Sequence, residues 1–277
     1  MELPCEIEWR SPFTYFVRGS FKIGKSEIMD LTGKTALVTG GTMGIGGAIA
    51  RELASRGADL AIVARNLGPE AQEVKQFVEQ AGRKCLLIQG DMAVAAECAR
   101  VVEETGKYFG RLDVLVHNAG GPAFGKTEEV TPELWEHTMA LHVSANFYLT
   151  KAALPLLRKH GEGAILMISS SAGVRGVPGA IAYATAKGAL PQMARSLARD
   201  LADDNIRVNV VAPGVIRTRF HQDMSEERKE HNLKNRIPLH REGTAEQVAD
   251  VALFLITNDY ITGETVVIDG GLTSRIA

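Results

Sequence analysis

The chain has 277 residues, enough for one large domain and requiring no second. A formal charge of −2 with 23% charged residues offers no basic field for nucleic acid, and the longest apolar runs fall far short of the ~20 residues that span a bilayer, so neither nucleic acid nor a membrane is expected as a partner. Three cysteines, Cys5, Cys85 and Cys98, are odd in number and lack C-x-x-C spacing, which argues against a disulfide framework or a metal site and for a reducing, cytoplasmic setting.

Residues 1–28 carry Trp9, Phe13, Tyr15, Phe16 and Phe21 among scattered charges, without the continuous apolar core or cleavage site of a secretory signal. They read as an N-terminal extension, and residues 29–277 as a single domain. From Lys34 a short apolar run and an amphipathic stretch alternate. The runs are Thr35 to Thr39, Leu60 to Ala64, Cys85 to Ile88, Val114 to Val116, Ala164 to Ile168, Val208 to Val211 and Thr265 to Ile268. Continuous apolar runs of this length are strands buried on both faces. Seven strands alternating with helices mean an α/β fold with a doubly wound parallel sheet and helices on both faces. Right-handed crossovers then gather the loops at the strands' C-terminal ends along one edge, where a site belongs.

Gly40, Gly44 and Gly46 fall between the first strand and its helix, where the backbone must turn tightly and let a pyrophosphate approach the helix N-terminus. The second strand ends in Ala64-Arg65-Asn66 with no acid to hold a ribose 2′-hydroxyl. Arg65 could instead make a bidentate contact to a 2′-phosphate. The preferred cofactor is therefore NADP(H), with NAD(H) as the alternative.

Ser170 ends the fifth strand, and thirteen residues later Tyr183-x-x-x-Lys187 places a phenol and an ammonium one helical turn apart. Bringing a tyrosine from its usual ~10 to neutrality takes roughly 3 units, about 4 kcal/mol. A positive charge ~4 Å away supplies about that much at an effective dielectric near 20. Ser170, Tyr183 and Lys187 are thus candidates for general acid–base chemistry at a carbonyl or alcohol.

Thr39-Gly40-x-x-x-Gly44-x-Gly46, Asn118-Ala119-Gly120, Ser170, Tyr183-x-x-x-Lys187 and Pro213-Gly214, in this order, resemble the short-chain dehydrogenase/reductases from about Asp30 to Gly271. The resemblance implies a Rossmann fold and hydride transfer between a nicotinamide and a small-molecule carbonyl or secondary alcohol, with NADP(H) preferred. It implies a cofactor site built from Gly40, Thr42, Met43, Gly44, Ile45 and Gly46 in the glycine turn and Arg65 after the second strand. Asp91 and Met92 follow the third strand, and Asn118, Ala119 and Gly120 the fourth. Tyr183, Lys187, Pro213, Gly214, Ile216 and Thr218 complete it. Many NADP-dependent relatives have a basic residue where Met43 stands. Members usually begin near Met29–Asp30, so residues 1–28 are an upstream extension, the product of a start misassigned upstream of Met29, or an arm packed on a partner subunit. The family also implies a substrate lid, here about residues 219–236, and a homotetramer or homodimer paired through helices around 133–158 and 183–202.

One position departs from the family pattern. Where relatives carry an asparagine whose backbone carbonyl holds a water leading to the catalytic lysine, this chain has His142, with Asn146 a turn further on as a second candidate. A histidine of ordinary pKa near 6.5 would protonate beside Lys187 and depress the rate in acid. Between Arg217 and Arg241 seven Lys/Arg face four Asp/Glu, a mild basic excess compatible with an anionic substrate or with a solvated helix. Two rival functions stand beside the general one. A 3-oxoacyl-carrier-protein reductase would dock its acidic carrier on basic helices, yet Tyr148 and Asp203-Asp204 occupy that region. A non-catalytic dinucleotide sensor on the same fold would have no need of Ser170, Tyr183 and Lys187 together.

Overall fold

The structure is a computed structural model that describes residues 6–11, 14–18, 28–221 and 224–274. The expectations about residues 1–28 lie for the most part outside the described residues. Within that stretch the backbone of β1 (Glu6–Ser11) and β2 (Thr14–Arg18) forms an antiparallel pair.

The remaining strands are β3 (Thr35–Thr39), β4 (Asp59–Ala64), β5 (Cys85–Gln89), β6 (Val114–His117), β7 (Gly163–Ile168), β8 (Ile206–Pro213) and β9 (Thr265–Ile268). All seven expected runs are strands, in one parallel sheet of order β5-β4-β3-β6-β7-β8-β9. Most run one or two residues past the apolar core of the run, and β8 gains two at each end. Every residue of β3, β6, β7 and β8 is buried, as a strand covered on both faces must be.

Helices α1 (Gly44–Ser55), α2 (Pro69–Gln80) and α8 (Ala245–Thr257) supply the core on one face of the sheet. On the other lie α3 (Ala95–Phe109), α5 (Ala145–Leu157) and α6 (Ile181–Asp200). The two shorter helices are α4 (Pro132–Met139) and α7 (Glu226–His231). α1 presents Gly46, Gly47, Ala48 and Ala50 inward, and side chains this small let it approach the sheet and α8 closely. The last carbonyls of α8 lack intrahelical donors. Buried Arg207 of β8 donates to the carbonyls of Leu255 and Ile256 and ties that helix end to the sheet.

The strand order reverses between β3 and β6. That reversal opens a crevice at the C-terminal ends of these two strands, where ligands of doubly wound sheets bind.

Candidate active site

Two polar clasps hold the crevice open. The Thr39 hydroxyl accepts from the backbone N–H of Asn118 and of Ala119, 3.1 Å each, and donates to Val116 O. The Asn118 amide donates to Thr39 O and Gly40 O, both at 3.0 Å. The turn between β3 and α1 can lie this close only because Gly40 and Gly44 take φ of +62° and +54°, a region that side chains disfavour. α1 then begins at Gly44 behind the N-cap Met43, which provides no side-chain cap, so its first amides face the crevice without a partner side chain.

A cavity of about 810 Å³ runs from this turn across the ends of β4, β5, β6, β7 and β8. Its wall includes Gly40, Thr42, Met43, Gly44, Ile45, Arg65, Asp91, Met92, Asn118, Ala119 and Gly120 at one end, and His142, Ser170, Tyr183, Lys187, Pro213, Gly214, Ile216 and Thr218 toward the other. Of the expected cofactor residues, Gly46 does not line it. A Cβ at Gly46 would sit 2.3 Å from both Asn118 Nδ2 and Gly40 O, so its role is to let α1 pass the clasp. Arg65 is exposed, and no carboxylate pairs with it among the described residues.

The Ser169 hydroxyl donates to Lys187 O at 2.7 Å, pinning α6 to the end of β7. Gly173 lies against the same carbonyl, where a Cβ would come within 2.6 Å of Lys187 C. Tyr183 and Lys187 therefore face Ser170 across a fixed gap. Lys187 Nζ donates to Ile168 O at 2.7 Å and lies 5.8 Å from the centre of the Tyr183 ring. Burial pushes the Lys187 ammonium down to about 7 and the Tyr183 phenol up to about 12, the nearby Ser170 hydroxyl only partly opposing the latter. The expectation that Lys187 brings the phenol to neutrality is not met here, because burial is the largest influence on both groups.

His142 falls in a π-turn, Ala140–Ser144, between α4 and α5. Its Nε2 lies 3.0 Å from Gly121 O and 3.4 Å from Gly121 N, donating to the carbonyl in one tautomer and accepting from the N–H in the other, and buried Nδ1 has no partner among the described residues. Burial, aided by the Lys187 charge, pushes its pKa down to about 3. The expected protonation near pH 6.5 is corrected accordingly: the imidazole stays neutral throughout the neutral range. Asn146 does not line the cavity, and its amide donates to His142 O at 2.9 Å, so it supports His142 rather than replacing it.

A family model described as enoyl-(acyl carrier protein) reductase matches residues 40–273. Human "Dehydrogenase/reductase SDR family member 4" is 39% identical over 253 residues, which cover 89% of this chain and 90% of that protein. The chain belongs to the short-chain dehydrogenase/reductase family. Among solved structures, a putative short-chain alcohol dehydrogenase from Sinorhizobium meliloti superposes with a TM-score of 0.85 at 33% identity, covering 90% of this chain and all of that one. A short-chain dehydrogenase from Burkholderia cenocepacia in complex with NADP gives 0.83 at 35%, covering 88% and 99%.

This short-chain dehydrogenase/reductase carries further cavity residues that single-sequence reading did not single out. Phe124 sits in the loop after β6, and Phe220, Met224, Arg228, Asn232 and Arg236 lie in the segment 219–236. The lid expectation pointed at that segment without resolving which of its side chains turn inward. Phe124 has no local signal, since only the packing of its loop brings it opposite α7, with the Arg228 guanidinium 5.9 Å above its ring.

Proposed function

We propose that the protein transfers hydride between NADP(H) and a carbonyl or secondary alcohol, with Tyr183 as the general acid and base. The observation that carries this reading is one continuous cavity joining the uncapped start of α1 to Ser170, Tyr183 and Lys187.

The residues present fit such a cofactor. Unpaired first-turn amides of α1 suit a pyrophosphate. Arg65, exposed and without a carboxylate partner among the described residues, suits a 2′-phosphate, and no acid stands at Ala64, Arg65 or Asn66 to favour NAD(H). The NADP complex of the Burkholderia relative supports the same preference. When bound, the reduced cofactor supplies hydride to the carbonyl carbon, and its oxidised form receives hydride from an alcohol.

In reduction, the Tyr183 hydroxyl gives its proton to the carbonyl oxygen as negative charge develops there, and the Ser170 hydroxyl donates a hydrogen bond to that oxygen. A phenol raised to about 12 is protonated at neutral pH, the form the donor needs. Lys187, one turn away and titrating near 7, offsets the phenolate left behind. In oxidation the same groups act in reverse.

Tyr183→Phe tests the assignment. It should bind NADPH like the parent and lose roughly 10²- to 10⁴-fold in turnover. Substantial retained turnover would overturn it.

We also infer one domain from Met29 with a lid over 219–236, a cytoplasmic location supported by free, buried Cys85 and Cys98, and assembly as a homotetramer or homodimer. Exposed Phe147 and Tyr148 on α5 and Trp135 on α4 support pairing through these helices. A monomer at micromolar concentration in light scattering would contradict the last point.

A further inference from the structure

A second cavity, of about 440 Å³, opens beside the first, and Ser171, Val177, Arg236 and Leu272 border both. Arg175 and His231 line it further, and among the described residues no Asp or Glu does. In the first cavity Asp91, at the cofactor end, is the only acid among the described residues.

The basic residues of 217–241 divide by whether a carboxylate pairs with them, Arg219 lining the cavity but paired. Arg217 pairs with Glu242, Arg219 with Glu70, Lys229 with Glu226 and Lys234 with Glu230. Arg228 and Arg236 line the cavity and have no carboxylate among the described residues. Arg241, outside both cavities, leans on the neutral Gln247. The Arg236 guanidinium is aimed by a neutral partner: its Nη1 donates to Oδ1 of Asn232, a cavity residue only 3% exposed. An uncompensated, half-buried guanidinium held by a buried amide is a preorganised anion receptor. The same wall carries apolar Leu141, Phe220 and Met224: the Phe220 ring lies 5.8 Å from that of Tyr183, and Met224 Sδ accepts from the Asn232 amide at 3.4 Å, beside Arg236.

We propose that the substrate is an anionic carbonyl compound whose carbonyl lies at Ser170 and Tyr183, whose apolar middle crosses Leu141, Phe220 and Met224, and whose far carboxylate or phosphate is held by Arg236. Arg228 and Arg175 add positive potential at the same end. The proposal rests on the oxidoreductase reading of the site and supplies its substrate class.

The test is calorimetric titration of the full chain, saturated with NADP⁺, with three inert probes that share a five-carbon alkyl tail: hexanoate, pentyl phosphate and hexanamide. At least one anion should bind on the order of tenfold more tightly than the amide, as one charge-assisted contact gives. The gap should shrink in 0.5 M salt, vanish in Arg236→Gln and be partly restored in Arg236→Lys. The better of the two anions identifies the headgroup. Equal affinity for all three probes, including no binding of any, overturns the proposal, as does a gap that survives Arg236→Gln. Because the probes are not turned over, the two readings separate. Anion selectivity without reduction of any keto acid or keto phosphate would condemn the oxidoreductase reading alone. Ready reduction of neutral ketones without anion selectivity would condemn this one alone.

Discussion

The rings of His142 and Tyr183 stand perpendicular, planes at 87° and centroids 5.5 Å apart, so an imidazole braces one edge of the proposed proton donor. That brace is neutral, with a pKa pushed down to about 3 by burial, and buried His117 is pushed down as far. Below pH 6.5 the unfolded chain takes up protons at both positions and the folded chain does not until about pH 3. Stability is therefore lost as pH falls from 6.5, by roughly 2 kcal/mol per histidine at pH 5. Urea denaturation at pH 7, 6 and 5 should follow this slope, and His142→Asn should remove about half of it. The rate profile between pH 6 and 8 should have the same acid limb in parent and His142→Asn. A stability independent of pH in this window would contradict the buried neutral state.

Lys187 is retained against the preference of the fold. Its side chain is buried, and its ammonium gains one hydrogen bond, to Ile168 O, against the loss of hydration that pushes its pKa down to about 7. Lys187→Met keeps most of the volume and removes the charge. It should abolish turnover while raising stability by ~1–2 kcal/mol, a trade common where function requires a poorly solvated group. Chemical denaturation at pH 7 checks this, and a destabilised variant would show that the ammonium contributes to folding instead.

Gly46 has no room for a methyl group. Gly46→Ala would drive Cβ into Gly40 O and the Asn118 amide, both at 2.3 Å, and the backbone oxygen has no rotamer by which to yield. A loss of at least ~3 kcal/mol is expected, with weakened NADPH binding because the displaced turn is the one that faces the cavity. Gly82→Ala, at a positive φ with open space, is the control for strain alone and should cost only ~1 kcal/mol. Thermal melts and fluorescence titration separate the two.

Arg65 follows β4 and has no carboxylate partner among the described residues. Ala64→Asp with Arg65→Ala should remove a charge-assisted contact to the 2′-phosphate and create an acceptor for a 2′-hydroxyl, shifting the NADPH-to-NADH preference by ~10- to 100-fold. Calorimetry with both cofactors measures it. Equal affinity of the parent for the two would remove Arg65 from the cofactor site.

The strands were legible because a parallel sheet covered on both faces needs continuous apolar runs, and Thr35–Thr39 or Ala164–Ile168 can be little else. The glycine turn was legible through positive φ at Gly40 and Gly44, a demand on single residues. At Gly46 the spacing reveals that the residue must be small, while only the packed crevice reveals what it must avoid. Likewise, chain order brings Tyr183 and Lys187 onto one helix face, but their pKa values depend on how much water the sheet excludes.

What the sequence by itself determined is everything that depends on local backbone geometry and on periodic burial: the α/β class, seven strands, the crevice edge, and the order in which Ser170, Tyr183 and Lys187 reach it. What only the tertiary structure decided is everything that depends on distances between segments far apart in the chain. That His142 is neutral follows from burial in the wall beside Gly121 and Tyr183, and that no acid among the described residues pairs with Arg228 or Arg236 follows from which side of residues 219–236 turns toward the cavity. The reason is physical. Torsional and hydrophobic preferences act within a few residues, whereas desolvation and charge pairing are sums over all neighbours in space, and the fold must exist before those neighbours do.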